Sequence, residues 1–416
     1  KNQGQLGTCW AFANVTSFQS SLLRQNIVAS PTDPAIEISV WHLATANGTI
    51  TDLTPPYNGW GGGNEYAIGY WTRGRGQWDM MPTAGTTAAG GGSVMTTNNP
   101  LNVYPLAAAE RNENLSGYVS PASQAQSPYL LGTSVNYLWN GNTNDLPAFQ
   151  NRLKTAVTNF GALSIYAKPT KQTNGDEKIW FNASTNDSGH VVALDGWDDN
   201  KVLVYNGLSM TGGWRVQNSW GTNEDYDGYN WVPFADTTPF GAKEATAYVA
   251  RTRLYSNTVT SQTNSIAPSI VQNQIFGWID KDGYRPPGRG YTNGVQTLAA
   301  SKETIPANSA LAAIGLYQVH PGTSVTISAY NAWTNTGPVT NTRIFTTTNP
   351  LTMNSEGSGY NMIDFESPIR IEEGRPIYFV VDFGTNNNAP IAVDERTVAE
   401  LTPEFGSYAG LSWMSS

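Results

Sequence analysis

A single cysteine, Cys9, stands in a chain of 416 residues, and this constrains the fold more than any other feature of the sequence. Without a second thiol there is no intrachain disulfide, so the structure must be held by buried apolar surface, supplemented at most by glycans or ions. A chain of this length exceeds what one hydrophobic core usually organises. Two domains are expected, each large enough to bury a core unaided. The lone Cys9 has two readings, an inert core thiol or a reactive one.

The partners are narrowed by charge. Charged residues make up 13% of the chain and the formal net charge is -9, so no basic field attracts phosphate backbones or anionic lipid heads, and nucleic acid is not an expected partner. Aromatic residues reach 11%, with 41 glycines, a mix that suits a β-rich, loop-rich extracellular or cell-surface protein. No run approaches the ~18 apolar residues of a membrane span, and no charged-then-apolar leader opens the sequence. Lys1 falls inside the first motif described below, so the absence of a leader here says little, and the native N-terminus is expected to lie before it. Sequons at Asn14, Asn47, Asn114, Asn182 and Asn186 are candidate glycosylation sites and weak support for export.

Periodicity divides the chain. Cys9, Phe12, Ala13, Thr16, Gln19, Ser20 and Leu23 predict a helix over 9–25, with Gly7 and Thr8 as turn and cap. Further helices are expected from Ser39 and after Gly61-Gly62-Gly63, making a helical lobe. A polar stretch over about 85–126 reads as an inserted loop region. Helix period returns over 145–159 with Asp145 as N-cap, and short strands follow at 162–167, 190–197, 201–206, 213–218 and 245–253. Helices first and strands later give an α+β domain over 1–255. A Ser/Thr/Asn/Gln-rich linker is expected at 256–268. Alternating runs at 310–319, 324–330, 342–346, 361–365 and 377–383 then predict an all-β sandwich over 269–416.

Three blocks carry chemistry. In Gln3-Gly4-Gln5-Leu6-Gly7-Thr8-Cys9-Trp10-Ala11-Phe12 the cysteine opens a helix, where unpaired backbone N–H groups and the positive helix end favour a thiolate. Gln3, six positions earlier, can aim its amide at the same place as the Cys9 N–H and complete an oxyanion hole. Gly189-His190-Val191-Val192 puts a histidine at the head of an apolar strand, placed to pair with Cys9 as an imidazolium and to protonate a leaving amine. Asn218-Ser219-Trp220-Gly221 supplies an amide to orient the imidazole and an indole, Trp220, to cover that bond.

On these three blocks, in this order, the sequence resembles the papain family of cysteine peptidases. The resemblance implies a two-lobed domain, a helical lobe beside a β-barrel-like lobe, with Cys9, His190, Asn218 and Gln3 as catalytic residues. It also implies that Gly62 and Gly63 lie along the substrate cleft with Trp10, Trp220 and Gly189, and that Gly161 to Ser164 lie near the strand entering the site. Leu6 stands where many relatives carry a disulfide cysteine, the interval from His190 to Asn218 is longer than usual, and Asn223-Glu224-Asp225 replaces a second Trp-Gly. Those departures resemble a prokaryotic, disulfide-free branch in which the peptidase is joined to a lectin-like β-sandwich. Ile275 to Trp278, Ala313 to Tyr317 and Tyr378 to Val381 resemble that second domain.

The remaining polar residues have plainer readings. His42 and His320 have no partner set and are expected to be structural. Asp52, Asp198, Asp199, Glu224, Asp225 and Asp227 miss the spacing of a calcium loop, and no metal or cofactor is expected. Trp and Tyr residues of the sandwich are read as core before sugar platforms. The function expected is an extracellular or cell-surface endopeptidase that cuts polypeptides through a Cys9 acyl-thioester, with the β-domain placing it on a glycan, surface layer or filament. The alternative is a catalytically silent adhesive protein that keeps the peptidase fold as scaffold.

Overall fold

The computed structural model describes residues 3, 7–33, 36, 38, 40, 43–44, 62–72, 129–139, 141–170, 178–182, 189–221, 227–237, 245–252, 298–305, 308–318, 321–334, 337–347, 349–352, 355–371, 374–383 and 412–415. The inserted region, the linker, His42, His320, Asn47, Asn114 and Asn186 lie outside the described residues, as does most of the helix expected from Ser39, whose Val40, Leu43 and Ala44 are helical.

Helix α1 (Cys9–Arg24) is buried on nearly every side through its first half. It therefore shows little amphipathic contrast and behaves as a central core helix. Thr8 occupies its N-cap position but makes no side-chain capping bond, so the cap expected there is positional only. Helix α2 (Asn64–Thr72) follows the glycine turn and stacks Trp71 on Phe18 of α1 with ring centroids 4.3 Å apart. Helix α3 (Leu146–Phe160) turns Phe149, Leu153, Ala156 and Val157 inward. Asp145 precedes it without capping it. A 3-10 turn over Thr143–Asp145, capped by Asn142 through Asn144 N, feeds the helix instead. Gly161 ends α3 with φ 91, a left-handed conformation that suits glycine.

The strands of the first region are β1 (Tyr129–Tyr137), β2 (Leu163–Ala167), β3 (His190–Tyr205), β4 (Leu208–Gln217), β5 (Tyr229–Pro233) and β6 (Ala245–Thr252). Two strands expected over 190–206 are one, with an irregularity between Asp198 and Val202. It continues through Asn206-Gly207, both at positive φ, into β4, as a tight hairpin requires. Strand β1 was not expected. It is buried on both faces and so lacks the alternation that marks a half-exposed strand.

The second region contributes β7 (Leu298–Ile305), β8 (Ser309–Gln318), β9 (Ser324–Tyr330), β10 (Trp333–Thr334), β11 (Gly337–Pro338), β12 (Arg343–Thr346), β13 (Leu351–Thr352), β14 (Gly359–Ile371), β15 (Arg375–Asp382) and β16 (Ser412–Ser415). A six-stranded sheet runs β12-β9-β15-β7-β16 with β13 on β9. The facing layer is β14 and β8, which extend the sheet of the first region in the order β5-β4-β3-β2-β6-β1-β14-β8. The crossing is antiparallel, with Thr133 opposite Asn361.

Burial follows from this arrangement. One core gathers α1, α2 and the inner side of the shared sheet, and it takes in Tyr360 of β14, with Tyr317 and Met362 packed against it. A second core lies between α3 and β1 to β6. The sandwich interior joins Val325, Ile327 and Val381 to Ile314, Leu316 and Ile363, and Ile377 and Phe379 to Leu311, Ile369 and Ile371. Among the described residues no helix is long and apolar enough to cross a membrane.

Candidate active site

Helix α1 delivers Cys9 by its first residue, and strand β3 delivers His190 by its first residue. The two meet because α1 lies across the sheet: the Cys9 sulfur accepts from the backbone N–H of Val191, the residue after His190. Cys9 is only 9% exposed. Burial pushes its thiol up, against the backbone N–H groups of Val191, Trp10 and Cys9 that pull it down. The helix-end donors are where the sequence placed them, but desolvation outweighs them. Burial thus works against the thiolate that the helix end favours.

His190 is also buried, and burial pushes its pKa down while the bond to Asn218 pulls it up. Burial therefore opposes the charged form of each partner, the imidazolium as well as the thiolate. His190 Nε2 lies 2.8 Å from Asn218 Oδ1. The same Oδ1 accepts from Ser219 N at 2.7 Å, which fixes the amide with its oxygen toward the ring. Nε2 therefore carries the hydrogen, and Nδ1 is the basic nitrogen. Asn218 is held in turn by Asn230 Oδ1 at 3.4 Å and by its own N–H on Gly228 O at 2.8 Å. Asn230 is fully buried and donates to Lys178 O at 3.2 Å.

Aromatic walls close the imidazole. Trp220 stacks on His190 with centroids 4.9 Å apart and planes at 27°, while remaining 45% exposed. Trp180 meets the ring edge-on at 6.0 Å and contacts Trp220 at 5.6 Å. Water is thereby kept from the His190–Asn218 bond on two sides.

Gln3 is tied to the same loop from the other direction. Its backbone N donates to Ser219 O at 2.6 Å, and its Oε1 accepts from Ser219 Oγ at 2.5 Å. With the oxygen end so engaged, Nε2 is the donor end of the amide. A donor of that kind is what an oxyanion hole requires.

The residues expected along the cleft fall into two groups. Gly62 leaves no room for a Cβ because the Trp10 indole fills that space, and Gly63 is similarly crowded by Glu65 and Tyr166. Gly62 thus keeps the backbone close to the residue after Cys9. Gly189, at φ +25, faces open space and is exposed, forming a bridge to Ala167. The loop from Gly161 to Ser164 is anchored to α1: Ser17 Oγ donates to Ala162 O at 2.5 Å and Ala162 N donates to Ser20 Oγ at 2.9 Å.

Two glycosylation sites are corrected. Asn14 is wholly buried, its amide donating to Trp10 O at 2.8 Å and accepting from the Tyr248 hydroxyl. The Nδ2 of Asn182, where a glycan would attach, is also buried. Of the acidic residues, Asp199 pairs with Lys154 at 2.5 Å and Asp227 with Lys178 at 3.3 Å, while Asp198 accepts from Asn200 N at 2.8 Å. Among the described residues no group of three or more His, Cys, Asp or Glu is arranged to hold a metal. Sequence reasoning missed Ser219, Asn230 and Trp180. Ser219 sat within a motif read for its neighbours, whereas Asn230 and Trp180 have no local signal and are defined only by where β5 and the preceding segment pack.

Residues 270–416 match the family model described as Lectin like domain. No curated protein sequence matches the chain. Two solved structures share its fold over its whole length. The clostridial cysteine protease Cwp84 after propeptide cleavage is 19% identical with a TM-score of 0.62, covering 100% of this chain and 89% of that one. The cysteine protease and lectin-like domains of Cwp84, a surface layer associated protein of Clostridium difficile, are 18% identical with a TM-score of 0.65, covering 100% and 80%. The chain therefore has a papain-like fold followed by a lectin-like domain, as the sequence resemblances implied.

Proposed function

We propose that this protein is a cysteine endopeptidase that works outside the cell or at its surface. The observation that carries the reading is the 2.8 Å bond from His190 Nε2 to Asn218 Oδ1, which leaves Nδ1 as base on the residue preceding Val191, whose N–H meets the Cys9 sulfur. The Cys9 proton passes to His190 Nδ1 as sulfur attacks the peptide carbonyl, because burial disfavours separated charges before attack. The oxyanion is received by Gln3 Nε2 and the Cys9 N–H. Collapse breaks the C–N bond, His190 returns the proton to the leaving amine, and water then hydrolyses the thioester with His190 as base.

In this reading the peptidase domain spans 1–255, a linker 256–268, and the lectin-like domain 269–416 holds the enzyme on a surface glycan, surface layer or filament. Support for the surface comes from Cwp84, a surface layer associated protein with the same fold. Gly62, Gly63, Trp10, Trp220 and Gly189 line the substrate path.

The test is alkylation by a peptidyl epoxide, mapped by mass spectrometry, on wild type and His190→Ala. Modification at Cys9 that is lost in the variant supports the reading. Folded wild type that resists the epoxide overturns it in favour of a silent scaffold whose lectin-like domain does the binding.

A further inference from the structure

The glycine turn that leads into α2 is fastened by a row of buried polar side chains that the proposed chemistry does not use. Asn64, the first residue of α2, directly follows Gly63 and is fully buried. Its Oδ1 accepts from the Ser164 hydroxyl of β2 at 2.6 Å, and its Nδ2 donates to the Thr246 hydroxyl of β6 at 2.8 Å. Ser164 and Thr246 are opposite each other where β2 meets β6. Thr246 is in turn opposite Asn136 of β1, and its hydroxyl donates to Asn136 Oδ1 at 3.0 Å. The backbone N–H of Asn136 then reaches Ser358 O at 2.8 Å, at the entry to β14. One amide thus spans two strands, and the row continues over a third to the lectin-like domain.

The order of the protons leaves this row little freedom. Each hydroxyl has one hydrogen to give. Ser164 gives its own to Asn64 and Thr246 gives its own to Asn136, so the Thr246 oxygen is left to accept from Asn64 Nδ2. Asn64, Ser164 and Thr246 are all fully buried, where an unpaired polar group costs its whole desolvation penalty and a satisfied network holds one geometry. Apolar residues of similar size would fill the same space without specifying where α2 must begin. What the row specifies lies beside it. Gly63 is seated against the Tyr166 hydroxyl, and Gly62 against the indole of Trp10, the residue after Cys9. Tyr166 stands two residues along β2 from Ser164.

We infer that Asn64 is a positioning residue: held by Ser164 and Thr246, with Asn136 as the acceptor that completes the row, it fixes the Gly62–Gly63 backbone where a substrate chain must run along it. A misplacement of about 1 Å, made far from the reacting groups, can cost about 100-fold in rate. The thiol and the imidazole are carried by α1 and by the head of β3, outside the row. Loosening the row therefore changes how a peptide is held while leaving the reactivity of Cys9 as it was. The inference rests on the reading of Gly62 and Gly63 as the substrate path.

The experiment compares two rates of Cys9 modification on the full chain. The peptidyl epoxide must be held along the path, whereas iodoacetamide needs only the thiol. Thr246→Val keeps the shape of the side chain and removes the hydroxyl, and it is expected to slow the epoxide by about 10-fold or more while the iodoacetamide rate stays within about 2-fold of wild type. Thr246→Ser, which keeps the hydroxyl, is expected to restore the epoxide rate. Asn136→Ala, at the half-buried end of the row, is expected to slow the epoxide selectively as well, and it serves if Thr246→Val fails to fold. Equal slowing of both reagents, or unchanged rates in a folded variant whose melting temperature falls, would reduce the row to packing and overturn the inference. Wild type that takes iodoacetamide but not the epoxide would overturn the substrate path and this inference together. Wild type labelled by both, with variants that match it, would overturn this inference alone.

Discussion

Ser219 donates its hydroxyl to Oε1 of Gln3 at 2.5 Å while its backbone N–H holds Asn218 Oδ1 at 2.7 Å. One residue thus orients both the proposed oxyanion donor and the amide that aligns the imidazole. Ser219→Ala removes only the Gln3 bond. Losing an oxyanion donor outright costs about 100-fold to 1000-fold in kcat, and a misaimed donor is expected to cost about 10-fold. Because the loss is felt in the transition state, kcat is expected to fall with KM nearly unchanged. An equal loss in thermal stability and activity would instead mark Ser219 as merely structural.

Trp220 stacks on His190 yet is 45% exposed. Trp220→Ala is therefore expected to lower melting temperature little, since half-exposed side chains contribute modestly, while admitting water to the His190–Asn218 bond. The expected result is a fall of about 10-fold or more in kcat/KM, of the size general-base losses produce, measured on a peptide substrate at constant fold content by circular dichroism.

Acid and alkali each destabilise the buried pair, acid through His190 and alkali through Cys9. The folded pKa of His190 is lowered from 6.5, so below 6.5 the unfolded chain binds a proton that the folded chain refuses. The stability contribution is full above 6.5 and declines as pH falls. For Cys9 the folded pKa is raised from 9.0, so stability is lost as pH rises above 9.0, where the unfolded thiol ionises first. Melting curves against pH should show both slopes in wild type. His190→Gln is expected to flatten only the acid one.

Glu303 adds a third slope from the lectin-like domain. It pairs with Ile377 across β7 and β15, on the side where Ile377 is fully buried, and burial pushes its carboxyl up from 4.5 to about 7. The folded form keeps the proton while the unfolded form loses it, so stability is full below 4.5 and lost as pH rises toward 7. Glu303→Gln, which cannot ionise, is expected to gain about 1–2 kcal/mol over wild type at neutral pH, after allowance for its half-buried position. No gain at pH 7 relative to pH 4 would count against a protonated Glu303.

Much of this site was legible because its residues sit at element ends with local signatures. Cys9 opens a helix whose period is plain, His190 heads an apolar run, and Asn218 follows a strand. The fold of the sandwich was legible in the same way, since β9 alternates strictly between buried and half-buried positions. The upward pull of burial on the Cys9 thiol was not, because desolvation depends on Trp10, Val191 and the sheet that covers them, none of which a helix terminus reveals. Asn14 read as a glycan acceptor for the same reason: a sequon is local, whereas its burial against Tyr248 is set by a strand more than two hundred positions away. Strand β1, buried on both faces, carries no period to read. Its pairing with β14 therefore could not be anticipated either.

That pairing makes the lectin-like domain part of the papain-like core. Tyr360 of β14 is 5% exposed and belongs to the cluster that contains Cys9, Trp10 and Phe12. Tyr360 N donates to Ser134 Oγ at 2.9 Å and Asn136 N donates to Ser358 O at 2.8 Å, so the joint is hydrogen-bonded as well as packed. Tyr360→Ala is expected to cost about 3–5 kcal/mol, the range for deleting a buried aromatic ring, read as a lower urea midpoint at unchanged slope. A chain ending at residue 255 would lose Tyr360, Tyr317 and Met362 together and expose the edge of β1. It is expected to aggregate or to label poorly at Cys9. A truncated chain that stays monomeric and labels at the wild-type rate would show instead that the peptidase core closes without its second domain.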